Sequence, residues 1–71
     1  MEKYWNVTAR AYNRISGNAV GQERIETVNT SNPLFSKCKT IMDVKAVYER
    51  FWNDLNPESR EVVFVIQVMS I

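Results

Sequence analysis

The end of the chain, residues 61–71, is apolar on both sides of a predicted strand, since only Gln67 and Ser70 are polar after Glu61. Strict alternation would place Val62, Phe64, Ile66 and Val68 on one face and Val63, Val65, Met69 and Ile71 on the other. A strand in a single-layer sheet needs an apolar pattern on one side only. We therefore expect both faces of this strand to be covered, although a short chain has little material with which to cover the second.

The first part of the chain predicts a β-hairpin. Residues 4–12 alternate, with one parity made of Trp5, Val7, Ala9 and Ala11. The two alanines leave room for a helix lying close over the sheet. Residues 16–18, Ser-Gly-Asn, predict a turn because Gly and Asn tolerate positive φ. A second strand is expected within residues 19–29, where Gly21 predicts a bulge and the nearby charges indicate a solvated edge.

An amphipathic helix is predicted after Thr40, which has Asp43 three residues later at the capping-box spacing. The apolar stripe of this helix is formed by Ile41, Val44, Tyr48, Phe51 and Leu55, with Val47 and Trp52 at its margins. Asn56 before Pro57 ends the helix. Upstream, Asn32 and Pro33 favour a short helical turn over residues 33–37, but an extended run is equally compatible with the sequence.

The order strand, strand, helix, strand predicts a single α+β domain over residues 1–71. Its architecture is a small single-layer, antiparallel or mixed three-stranded sheet (β-β-α-β) with one amphipathic helix packed on one face. The first strand lies in the middle, and the terminal strand is an edge with a bare outer row of backbone groups. The face away from the helix is bare unless residues 29–39, with Leu34 and Phe35, fold over it. The sequence leaves open which parity of the terminal strand meets the helix.

Composition favours association with a partner. A domain of 71 residues buries only about 60% of its surface on folding, so its stability is small. One cysteine and no histidine exclude an internal disulfide and a structural zinc site, and oligomerisation is the usual alternative support. No signal peptide and no apolar run of ~20 residues is visible, so we expect no membrane contact. A single free thiol suits the cytoplasm.

Catalysis has little support in the sequence, and we predict a protein that is not an enzyme and has no cofactor or metal. Histidine, the commonest acid–base group near neutral pH, is absent. Cys38 lies between Lys37 and Lys39, and neighbouring cations favour a reactive thiolate. The alternative for Cys38 is a small, half-buried residue in a loop or in the first turn of a helix.

Two functional hypotheses follow. The first is a protein-binding module that forms a homodimer or docks on another protein through the terminal strand, as an inhibitor or adaptor of the kind made by viruses and mobile elements. Its predicted contact residues are Val62, Phe64, Ile66, Val68 and Trp52, the last of which suits either the core or an interface. The second is a nucleic-acid-binding module that uses Arg10, Tyr12, Arg14, Arg24, Lys37 and Lys39. The net charge of +1 is low for such a binder.

Overall fold

A computed structural model describes residues 2–71. The chain forms β1 (Tyr4–Asn13), β2 (Ala19–Asn29), a short 3-10 turn (Pro33–Phe35), α1 (Ile41–Leu55) and β3 (Glu61–Ser70). The strands form one sheet in the order β2-β1-β3, and β1 is antiparallel to both neighbours. The predicted α+β architecture, with the first strand in the middle and the terminal strand at an edge, is confirmed.

Asn13, the last residue of β1, stabilises the β1–β2 hairpin turn, and Gly17 lies within the turn predicted at residues 16–18. Asn13 Oδ1 accepts hydrogen bonds from the backbone N–H groups of Ile15 (2.9 Å) and Ser16 (3.0 Å). Gly17 has φ 75°, a conformation that costs other residues steric strain. Gly21 also has a positive φ, 70°, and lies where the β1–β2 register shifts, so the predicted bulge is confirmed.

The start of α1 is fixed by the predicted capping box. Thr40 Oγ1 accepts from the Asp43 N–H at 3.2 Å, and the Asp43 carboxylate accepts from the N–H of Thr40 at 3.0 Å. The same carboxylate accepts from the Lys39 N–H at 2.9 Å. The backbone N–H of Lys39, which has the larger effect, and that of Thr40 lower the pKa of Asp43 because they stabilise its charged form.

No helix among residues 2–71 has the length and apolar character needed to cross a bilayer.

One face of the sheet carries the hydrophobic core. The buried side chains are Trp5, Val7, Ala9, Val28, Phe35, Cys38, Val44, Tyr48, Val65 and Val68. Because Trp5, Val7 and Ala9 alternate along β1, they define the helix face of the sheet. The opposite side, to which β1 contributes Tyr4, Asn6, Thr8, Arg10 and Tyr12, is called the open face below.

The loop between β2 and α1 packs on the helix face. Its 3-10 turn is capped by Asn32, whose Oδ1 accepts from the Leu34 N–H at 2.9 Å, so the helical alternative holds over Pro33–Phe35. Phe35 is buried in the core, and Leu34 lies beside Val47 and Phe51 of α1. The loop therefore does not fold over the open face of the sheet. This leaves the other alternative, in which residues 29–39 do not cover that face.

The helix α1 is rotated about its axis relative to the orientation that would bury all of its apolar positions. Val44 and Tyr48 are buried as expected, but Ile41, Phe51 and Leu55 are exposed. The rotation turns Glu49 and Asn53, polar residues opposite the apolar positions of α1, toward β3. The physical reason is a set of hydrogen bonds between these two side chains and the edge of β3, described below.

Side chains do not alternate strictly between the two faces along β3, so the prediction that Val68 shares a face with Val62 and Phe64 is wrong. Ala9 pairs with Val65 but Thr8 pairs with Gln67, so Ile66 is an extra residue without a partner on β1. Such a bulge shifts the parity of the residues that follow it. Val65 and Val68 are both buried, whereas strict alternation places them on opposite faces.

Candidate interaction surface

The open face carries a line of exposed apolar side chains along β3. Strand pairing places Val62 opposite Tyr12, Phe64 opposite Arg10 and Met69 opposite Asn6. Phe64 and Ile66 are each 49% exposed, and Met69 is 56% exposed. Ile66 has no partner on β1, but it lines the same depression as Tyr12, Val62 and Phe64. We call this set the apolar stripe: Tyr12, Val62, Phe64, Ile66 and Met69. The described part of the chain, residues 2–71, does not bury it.

An aromatic pair orders one end of the apolar stripe. The rings of Tyr12 and Phe64 meet edge to face, with centroids 5.7 Å apart. Aromatic contacts across neighbouring strands stabilise a sheet and restrict the rotamers of both rings. Phe64 is therefore held in a defined position while half of its surface stays exposed, which suits a preorganised contact residue.

The structure changes the set of predicted contact residues. Val62, Phe64 and Ile66 lie in the apolar stripe, as the partner-binding hypothesis requires. Val68 does not, because the bulge at Ile66 turns it into the core, where it is 9% exposed. Met69 takes the place on the open face that strict alternation gave to Val68. The sequence contains no glycine in β3 that would have signalled this change.

The sequence predicts that the outward backbone N–H and C=O groups of β3 are bare, but side chains of α1 form hydrogen bonds with some of them. Asn53 Nδ2 donates to Val63 O at 3.1 Å, and Asn53 Oδ1 accepts from the Val63 N–H at 2.8 Å. Glu49 Oε2 accepts from the Val65 N–H at 2.7 Å. A strand whose outward groups are already bonded is protected against pairing with another strand. The first half of the β3 edge is therefore protected, while the open face of the strand stays bare.

Trp52 lies between the core and solvent, at a groove. It is half-buried and packs against the core, 6.3 Å from the ring of Tyr48. The Arg24 guanidinium lies 5.2 Å from its ring centroid, a cation–π contact that joins β2 to α1. Trp52 is on the helix side of the molecule, so it does not belong to the apolar stripe.

The groove beside Trp52 has a volume of about 350 Å³ and runs over the small residues Ala9 and Ala11. The alanines were expected to admit the helix, but α1 packs mainly against β3 and leaves this space open. Beyond it, Tyr48 donates its hydroxyl to Glu26 of β2 at 3.2 Å. Burial, followed by the charge of Glu26, raises the pKa of Tyr48.

The six residues of the nucleic-acid hypothesis do not form one surface. Arg10 and Tyr12 belong to the open face, where Arg10 Nη2 donates to Gly21 O at 2.8 Å. Arg24 contacts Trp52 on the helix side. Lys39 lies near Lys3, at the end of β1 away from the hairpin turn. The other two residues are Arg14, which bonds Ser59 O, and Lys37, which lies in the loop before α1.

Cys38 is a core residue, which agrees with the simpler of its two interpretations. Its side chain is 5% exposed. Burial, and then the charge of Asp43, raises the pKa of the thiol, whereas flanking lysines were expected to lower it. The thiolate is therefore disfavoured at neutral pH.

Comparison with known protein families, with curated proteins and with solved structures finds no match to this chain.

Proposed function

We propose that this protein is a small, non-enzymatic protein-binding module that associates through its open face, with a second copy of the chain as the partner. The observation that supports the proposal is the apolar stripe on the face opposite the core, in which Phe64, Ile66 and Met69 are about half exposed. Contiguous exposed apolar surface of this kind marks interaction sites in soluble proteins.

The size of the open face is adequate for a stable contact. The molecule extends 42 × 20 × 15 Å, so the outline of its broadest side has room for the roughly 800 Å² that one partner contributes to a standard interface. Fully burying a side chain such as Phe64, Ile66 or Met69 contributes about 1.5–3 kcal/mol, and about half of each is exposed here. Three such residues on each copy supply several kcal/mol.

A second copy fits this face because its centre carries few charges. Cores of interfaces are depleted of charged residues and enriched in aromatic residues and methionine. Arg10 is the only charged residue that β1 contributes, and its guanidinium already donates to Gly21 O. Two open faces therefore stack apolar on apolar about a two-fold axis. A cytoplasmic role as an inhibitor or adaptor is a further prediction from the sequence.

The proposal is tested by molar mass. Size-exclusion chromatography with light scattering is expected to show a species heavier than the 8.3 kDa monomer. Phe64→Lys places a charge within the apolar stripe and should at least halve the mass, with an unchanged circular dichroism spectrum. Phe51→Lys is the matched control, because Phe51 is 38% exposed on α1, away from the open face. An unmodified protein that stays monomeric at high concentration contradicts the proposal.

A further inference from the structure

The outer edge of β2 is the second edge of the sheet, and within residues 2–71 this strand pairs only with β1. Every residue of β2 before Val28 is exposed. The Thr30 N–H donates to Lys3 O at 3.1 Å, which shows that these two opposite residues form a hydrogen-bonded pair in the β1–β2 register. Since hydrogen-bonded pairs alternate with non-bonded pairs, Glu26 directs its backbone groups toward β1, and Ile25 and Thr27 direct theirs outward.

We propose that two copies of the chain pair β2 with β2 in antiparallel orientation, about a two-fold axis at Ile25, and so form a continuous six-stranded sheet. The outward N–H and C=O of Ile25 then bond to those of Ile25 in the second copy. Arg24 of each copy stands opposite Glu26 of the other. Opposite charges directly across a strand pair are favourable, and like charges are unfavourable.

Charge selects this register from its neighbours. An antiparallel pair related by a two-fold axis normal to the sheet places the residue on the axis opposite itself. An axis at Glu23, Arg24 or Glu26 would therefore oppose like charges. An axis at Thr27 places Glu26 opposite the apolar Val28 and gains no charge pair. Within residues 23–27, only the axis at Ile25 gives two opposite-charge pairs.

The two charges are already positioned by the fold. Arg24 contacts the ring of Trp52, and Glu26 accepts from the hydroxyl of Tyr48, so both lie on the helix face of β2. Ile25, 74% exposed, lies on the other side of the strand and meets its counterpart across the axis. Exposed ion pairs contribute little energy, so they determine the register while backbone hydrogen bonds and Ile25 supply the attraction.

This pairing rests on the proposed function only in that the partner is again a second copy. It uses an edge, whereas the proposed function uses the open face, so both contacts are compatible. Two six-stranded sheets that stack by their open faces make a closed tetramer with three two-fold axes, a common symmetry among soluble oligomers.

Cysteine crosslinking tests the register directly, in a Cys38→Ala background. Residues opposite each other in a hydrogen-bonded pair have Cα atoms about 5.5 Å apart, within disulfide range. Ile25→Cys should therefore oxidise rapidly to a covalent dimer. Thr27→Cys alone should not, because the two copies of that position lie about 14 Å apart. A mixture of Thr27→Cys and Glu23→Cys should crosslink. Crosslinking of Ile25→Cys no faster than that of Thr27→Cys overturns the proposal.

Charge reversal tests the same contact with Cys38 intact. Arg24→Glu should reduce the unmodified tetramer to a dimer held by the open face, and Arg24→Glu with Glu26→Arg should restore the tetramer. Phe64→Lys should leave a dimer held by β2, and Phe64→Lys with Arg24→Glu a monomer. An unchanged mass in Arg24→Glu refutes the edge contact. An unchanged mass in Phe64→Lys refutes the open-face contact instead, so the two failures are distinguishable.

Discussion

The link between α1 and the edge of β3 predicts that Asn53→Ala destabilises the protein. The substitution removes both hydrogen bonds to Val63. A net contribution of about 0.5–1.5 kcal/mol for each bond gives a loss of about 1–3 kcal/mol. Alanine is a better helix former than asparagine, which returns roughly 0.5 kcal/mol. We therefore expect the free energy of unfolding to fall by about 0.5–2.5 kcal/mol, a large fraction of what a domain of this size has.

Two measurements check this prediction. Thermal unfolding should show a Tm lower by about 2–20 °C, since 1 kcal/mol corresponds to about 4–8 °C in a small domain. Hydrogen exchange followed by NMR should show faster exchange of the Val63 amide, which loses its acceptor. Asp54→Ala is the matched control, because Asp54 is exposed on the same helix and gains the same kind of helix propensity. If Asn53→Ala is no less stable than Asp54→Ala, the helix does not hold the edge of β3 as described.

Two further predictions follow from the ionisable groups. Folding lowers the pKa of Asp43, so its contribution to stability is present above about pH 4 and is lost as the pH falls through the lowered pKa. Asp43→Asn should therefore show a smaller drop in Tm between about pH 6 and pH 2 than the unmodified protein. An equal drop in the two proteins would contradict the capping role of Asp43. Because burial raises the pKa of Cys38, its alkylation near neutral pH should be slow in the native protein and fast in urea; equal rates in both conditions would contradict its place in the core.

The local elements of the fold are predictable because their signals are local. Thr40 and Asp43 mark the start of α1 through a capping box that depends only on residues three apart. The two bulges show the limit of such signals. Gly21 indicates the bulge of β2 in the sequence because glycine adopts the positive φ found there. Ile66 forms the bulge of β3 without a positive φ, so nothing in its identity distinguishes it from the surrounding valines.

The candidate surface is predictable in composition but not in detail. The apolar character of residues 61–71 indicates that apolar side chains line both faces of the strand, and Phe64 is one of those that lie exposed on the open face. The rotation of α1 is not predictable from periodicity, because it depends on Asn53 and Glu49 meeting backbone groups of a strand that follows later in the chain. Both are polar residues on the side of α1 opposite its apolar positions, and such residues usually face solvent.

The bulge at Ile66 gives β3 an unusual tolerance to a change in length. Losing one residue from a regular strand exchanges the two faces of everything beyond the gap. Removing Ile66 would instead restore strict alternation, with Val63, Val65 and Val68 still directed inward and Phe64 and Met69 still directed outward. A single-codon deletion at this position would thus leave the inside and outside of the sheet as they are, whereas an insertion elsewhere in β3 would invert them.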